Sequence, residues 1–168
     1  MADRPTRETV DLSQYPDLVV IYLGMRVNVL TGFKTLLGFG PRISNAVAAR
    51  PEGLLLHENV FYSLRHFGMR QYWRDFDSLE AWSRSEPHLK WWQGFLRDSG
   101  GTGFWHEAYF RRGGMEAGYV DMRTPTGMAR FAPAMPARGA LFSARKRAGL
   151  PGETRAPEAV SEREFYSP

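Results

Sequence analysis

His88, Trp91, Trp92 and Phe95 stand at i, i+3, i+4 and i+7, the spacing that puts four side chains on one face of an α-helix. Three are large apolar groups that belong against a core. The fourth is an imidazole, the side chain whose ordinary titration range lets it take or give a proton near neutrality. Two readings are open for His88: a first-turn residue bonding a backbone group, or a base facing whatever fills the space between helix and sheet. Pro87 lacks an amide hydrogen and does not belong in mid-helix, so residues 78 to 95 read as two helical pieces with a restart at the proline. Asp77 and Glu80 have the spacing of a capping box for the first piece, and Ser85 can cap the second.

A second imidazole lies in "GFWHEAYF". In a strand His106 shares a face with Phe104, Ala108 and Phe110, while Glu107 shares the other with Trp105 and Tyr109. His106 can serve there as acid/base, as haem ligand or as a satisfied core histidine. Glu107 among aromatics is a buried proton acceptor or the partner of an arginine such as Arg26 or Arg70. His57 is a weaker candidate on a strand, and His66 is expected at an exposed turn. No two histidines have the short spacing that brings imidazoles together, so no metal centre is expected.

These residues need a frame. "LVVIYLGMRVN" alternates Val19, Ile21, Leu23, Met25 and Val27 with Val20, Tyr22, Gly24, Arg26 and Asn28, which predicts a strand with one fully apolar face. The following segment has helical spacing, interrupted by "GFGP" at 38 to 41, and predicts two short helices. "GLLLHENVFYS" and "MRQYWRDF" read as paired strands. After the helices, "GFWHEAYFRR" and "MEAGYVDMR" flank Gly113 and Gly114 as a hairpin. The order β-α-β-β-α-β-β is that of an α+β, ferredoxin-like βαββαβ fold with one added strand. Because the helices cover one side of such a sheet, the face bearing Val19 to Val27 is expected to lie open and to bury itself against a second copy.

The chain of 168 residues suits one domain with its own core, expected over 17–128 between an N-terminal extension (1–16) and an irregular basic arm (129–168). There is no cysteine, which removes disulfides and thiolate metal sites. The start of the chain is polar, and the longest uncharged apolar run, "LVVIYLGM", is too short to span a bilayer. A cytoplasmic protein with no membrane association is expected. The net charge of +4 resides mainly in the arm, which holds seven Arg and Lys against four Glu and contains "ARKR" at 144 to 147. Such a run reads as a solvated tail, and nucleic-acid binding is not expected. Phosphate-binding, dinucleotide, zinc-protease and serine-hydrolase motifs are all missing.

"VVIYLGMRVN", "YWRDFDSLEAWSRSEPHLKWW" and "GFWHEAYFRRGGMEAGYVDM" together resemble the monooxygenase-like family that includes a fumagillin-pathway oxygenase and is related to the antibiotic-biosynthesis monooxygenases. The resemblance implies a dimeric α+β barrel with a pocket between sheet and helices in each subunit. It also implies an oxygenase of secondary metabolism that combines O₂ with a small aromatic, terpenoid or polyketide-like molecule and needs no cofactor. In that reading Trp82, Trp91, Trp92 and Tyr72 wall the pocket, with Glu107 beside it. His88 or His106 removes a substrate proton, and Arg26 and Asn28 stabilise the developing oxyanion. In haem-degrading members of the wider superfamily an Asn ends the first strand, and a Trp and a His follow on the second helix. Asn28, Trp82 and His88 fall at comparable places, with a shorter Trp-to-His spacing. The alternatives are therefore a haem enzyme, either an aldoxime dehydratase-like lyase or a haem oxygenase with His106 as ligand, and a homodimer that binds small molecules without chemistry.

Overall fold

The computed structural model describes residues 9–153, 158 and 160–166. Parts of the N-terminal extension and of the arm, residues 1–8, 154–157, 159, 167 and 168, lie outside the described residues. The elements are β1 (Val19–Val27), α1 (Gly32–Ala48), β2 (Leu54–Ser63), β3 (His66–Trp73), α2 (Phe76–Ser83), α3 (His88–Arg97), β4 (Thr102–Phe110) and β5 (Met115–Val120). In the arm follow 3₁₀ turns at Gly127–Arg130 and Gly139–Leu141, then α4 (Ala144–Arg147) and α5 (Glu162–Tyr166). The strands form one antiparallel sheet in the order β2-β3-β1-β4-β5, the ferredoxin-like arrangement with β5 added at one edge. None of the described helices is long and apolar enough to cross a membrane.

The alternation along β1 decides the two sides of the sheet. Val19, Ile21, Leu23 and Met25 pair across the ladders with Trp73, Gln71, Met69 and Phe67 and with Phe110, Ala108, His106 and Phe104. That side meets the helices: Leu79 of α2 closes a core with Val19, Ile21, Trp73 and Ala108, with Trp82 against it. The expectation that this face would lie open for a second copy is therefore overturned. Its upper half is the core of the domain, and the outward side carries Tyr22, Arg70, Tyr72, Glu107 and Tyr109. The lower half of the helix side is not filled by packing, because α1 stands off from it. The 17-residue α1 buries only Gly32, and Leu37 is 75% exposed.

Local details differ from the sequence reading in four places. The "GFGP" stretch does not split the helix, for α1 runs through Pro41. The carbonyl that loses its donor belongs to exposed Leu37, where water can serve it. The cap of α2 is Asp75, whose carboxylate accepts from the Ser78 amide at 2.7 Å, not a box of Asp77 and Glu80. Ser85 closes the end of α2 by donating to the Trp82 carbonyl at 2.9 Å, leaving α3 to begin at Pro87 without a side-chain cap. His66 is 5% exposed, because Tyr62 stacks on it and the Trp105 indole donates to its Nε2 at 2.8 Å. Gly24 makes that possible, since a Cβ there would meet Trp105 Nε1 at 2.9 Å and the Phe67 carbonyl at 2.7 Å.

The "ARKR" run is not a solvated patch. Glu80, on α2, is buried and meets Arg145 at 3.1 Å and Arg84 at 3.1 Å. Arg145 also binds Asp77 and lies over the Phe76 ring. Arg147 reaches β5, pairing with Glu116 at 2.9 Å and donating to the Leu141 and Phe142 carbonyls. Two arginines of the run thus fasten the arm to the domain. Removing one partner of a buried pair costs about 3 kcal/mol or more, which lowers the melting temperature of a chain this size by roughly 6–12 °C. Arg145→Ala is expected to show that loss by calorimetry, while Lys146→Ala, on the exposed side of the same turn, leaves the midpoint in place.

Candidate functional site

The unfilled lower half of the sheet forms two chambers. The first, of about 730 Å³, lies between α1 and the sheet. Leu23, Met25 and Met69 form its floor, Phe33 and Ile43 of α1 one wall, and Trp82, His88, Trp91, Trp92 and Phe95 the other. The structure therefore brings together His88 and the three tryptophans expected around it. His88 opens α3, and its Nδ1 donates to the Ser83 carbonyl at 2.8 Å. With that proton placed, the neutral ring carries its lone pair on Nε2, which has no hydrogen-bond partner among the described residues. Burial pushes the imidazole below its ordinary pKa, with the Ser83 bond opposing only in part. At neutral pH His88 is thus an unprotonated base, braced by Trp82 at 4.8 Å and Trp91 at 6.3 Å between ring centres.

The second chamber, of about 660 Å³, lies between the β4–β5 edge of the sheet and the arm. His106 stands on its floor, and Trp92 and Phe104 wall both chambers, 5.0 Å apart and edge to face. The two histidines thus lie on the same side of the sheet but in different chambers. His106 Nε2 meets Glu116 Oε1 at 2.7 Å, and the other oxygen of Glu116 takes Arg147. The imidazole lies flat over Gly118, its cross-strand neighbour, where a Cβ would come within 2.6 Å of its Cε1. Glu116, Gly118 and Arg147 were not singled out from the sequence. A signal for the first two existed in the hairpin centred near Gly113: it pairs His106 with Gly118 and Ala108 with Glu116, so both belong to the face of His106.

The remaining candidates occupy other places. Glu107 faces outward, accepting from Tyr109 at 2.8 Å and Tyr119 at 2.6 Å. Burial, and then the carboxylate beside it, push the Tyr109 phenol up to about 12. Arg70, one expected partner of Glu107, binds Glu58 at 2.6 Å and the Tyr22 hydroxyl at 3.0 Å. Tyr72 is on that outward face, under the Arg70 guanidinium, and so does not wall a chamber with the tryptophans. Arg26 is also on that face, opposite His66 in the ladder. Asn28 donates to the Asp121 carbonyl at 2.9 Å and ties the end of β1 to the end of β5. Neither Arg26 nor Asn28 meets His88 or His106 across a shared chamber. Among the described residues no group of three or more His, Asp or Glu side chains could hold a metal ion.

Burial works to raise the Glu116 carboxyl, but His106 and Arg147 outweigh it and hold the group below its ordinary 4.5. A carboxylate depressed in the folded state contributes stability above that value and loses it as pH falls through the folded pKa. Glu116→Gln is accordingly expected to lower the urea midpoint at neutral pH, with the gap to wild type closing below pH 4.5. A gap that stayed constant with pH would show that the charge of Glu116 is not what matters.

Among curated proteins none matches the chain. Solved structures similar to it include an aldoxime dehydratase in complex with butyraldoxime (25% identity, TM-score 0.44, over 57% of this chain and 28% of that one). A second aldoxime dehydratase is 20% identical with a TM-score of 0.45, over 73% of this chain and 36% of the other. The chain thus spans about a third of the length of these two enzymes. SnoaB, a cofactor-independent oxygenase from Streptomyces nogalater, is 14% identical with a TM-score of 0.38, over 64% of this chain and 95% of SnoaB. The model of the monooxygenase af470-like family matches residues 18–128, from β1 past the end of β5. That is well over half of the sequence, and the chain belongs to this family.

Proposed function

We propose that the chain is an oxygenase of secondary metabolism that acts, without a cofactor, on a small aromatic, terpenoid or polyketide-like molecule in the chamber between α1 and the sheet, with His88 as the base. Family membership supports an oxygenase-type enzyme. The observation that carries the choice of residue is the hydrogen bond from His88 Nδ1 to the Ser83 carbonyl, which leaves Nε2 as a lone pair at the wall of an apolar, aromatic chamber. An enzyme without a metal or flavin needs a substrate that supplies the electrons for O₂. Nε2 removes a proton from a carbon acidified by a neighbouring carbonyl or ring, and the resulting carbanion reacts with O₂. For a methylene that becomes a carbonyl the balance closes, since one oxygen atom stays on carbon and the other leaves as water. Surrounding tryptophans hold a flat apolar body and keep bulk water from the carbanion.

The haem alternative changes in form. His106 Nε2 is engaged by Glu116, which leaves its Nδ1 to hold a haem iron in the second chamber, while in the first chamber the residue that would hold the iron is His88, through Nε2. The described lining of its chamber contains no Arg or Lys, and the two propionates of a haem would have no cation inside. The fit is incomplete, which favours the cofactor-free reading.

Oxygen uptake with anthrone, a tricyclic probe with an acidified methylene, tests the reading. The wild-type rate should exceed that of buffer and be insensitive to chelators, and His88→Ala should lower it about 10²–10⁴-fold. An unchanged rate in His88→Ala would overturn the role of that residue. Binding of the probe without oxygen uptake would favour a carrier, and a Soret band after haem addition that vanishes in His88→Ala would favour a haem enzyme. The same reading has the chain as a homodimer joined through the outward face of the sheet, where Leu56 is 50% and Tyr62 42% exposed. Light scattering should then give twice the chain mass for wild type and the single mass for Leu56→Asp.

A further inference from the structure

We propose that the chamber beneath the arm is a second small-molecule site, one that takes a largely apolar molecule through a single phenolic or enolic hydroxyl donated to His106. It involves a different cavity and a different histidine from the oxygenase reading and does not depend on it. At about 660 Å³ the chamber is within the range of pockets that enclose drug-sized ligands. Met122, Met135, Leu141 and Phe142 from the end of the sheet and the arm close over Phe104 and Trp92, so the walls suit an apolar body.

Of the other polar side chains in the lining, Tyr119 donates to Glu107, Tyr166 to the Ala137 carbonyl, and Glu158 pairs with Arg84; His106 is where the chamber offers an acceptor. Glu116 is an acceptor only, so the imidazole nitrogen facing it, Nε2, carries the proton. The neutral ring then has its lone pair on Nδ1, which has no hydrogen-bond partner among the described residues. A carboxylate behind an imidazole strengthens the ring as an acceptor. An acceptor at the edge of an apolar-walled cavity calls for a donor on the ligand, and among oxygen donors that stay un-ionised at neutral pH a phenol or enol is a strong one. Arg147 also borders the chamber, but its donors are taken by Glu116 and by the Leu141 and Phe142 carbonyls. That leaves no cation in the described lining to receive a carboxylate or phosphate. Gly118 keeps the floor flat under the ring, so that the imidazole sits low enough to leave the space above it.

Methionine methyl NMR reports which chamber a probe enters, because Met122 and Met135 line this one and Met25 and Met69 the other. With 2-naphthol as probe, titration of the wild-type protein should shift Met122 and Met135. 2-Methoxynaphthalene, which keeps the rings and lacks the donor, should bind there roughly tenfold more weakly. In His106→Leu the two probes should bind alike, at the weaker affinity. The proposal is overturned if 2-naphthol does not bind, if its shifts are confined to Met25 and Met69, or if the two probes bind wild type equally. The wild-type comparison stands by itself should His106→Leu fail to fold. Loss of anthrone oxidation without loss of 2-naphthol shifts at Met122 and Met135 would sink the oxygenase reading alone.

Discussion

A carboxylate taken out of water must find a cation, and two such carboxylates, Glu80 on α2 and Glu116 on β5, govern where the described part of the arm is fastened. Arg145 and Arg147 answer them from a single turn of α4. Because the two cations are two residues apart and their targets lie on different elements, that turn is held at two points. On either side of that turn the arm lies over the sheet near Phe104 and Gly118, where it roofs a space that the helices leave empty. The same Glu116 that anchors the arm also sets the proton of His106. One buried charge therefore fixes both the cover of a chamber and the tautomer of the imidazole on its floor.

The other half of the design is incomplete packing. The side of the sheet that faces the helices is sealed at one end by Leu79 and Trp82 and left bare at the other, because α1 is held mainly at its N-terminal turn, where Thr35 bonds the Gly100 carbonyl at 2.8 Å. Both histidines border the bare region, and each is fixed through one nitrogen only: His88 by Nδ1 to a backbone carbonyl, His106 by Nε2 to a carboxylate. Among the described residues the nitrogen left without a partner differs, Nε2 in His88 and Nδ1 in His106. A backbone carbonyl holds a ring without adding charge, whereas a carboxylate places a full negative charge beside it, so the two imidazoles have different electrostatic neighbours on one sheet.

Much of this was legible in the residues. The alternation of Val19 to Val27, the Gly113–Gly114 turn and the stripe from His88 to Phe95 are local patterns, and local geometry obeyed them. The side of β1 that the helices would choose was not legible, since Val20 and Tyr22 make the opposite side a credible alternative and only the arrival of Leu79 decides. Pro41 misled because a helix exposed to water tolerates a lost hydrogen bond that a buried one does not. The arginines of the arm read as a solvated run because their partners are distant in sequence: 65 residues separate Arg145 from Glu80, and 31 separate Arg147 from Glu116. Periodicity carries no information over that range. The scattering of Tyr72, Arg26 and Asn28 away from His88 has the same origin: their types were informative, but their faces depended on register.

Trp92 and Phe104 form a partition with a chamber on each side. Rings packed edge to face exchange volume between the spaces they divide, so a rotation that enlarges one chamber shrinks the other. Whatever free energy an occupant of one side spends in turning those rings is felt by an occupant of the other, and thermodynamic linkage makes the effect equal in both directions. Two aromatic side chains would thus set the sign of cooperativity between the chambers, with no movement of the backbone.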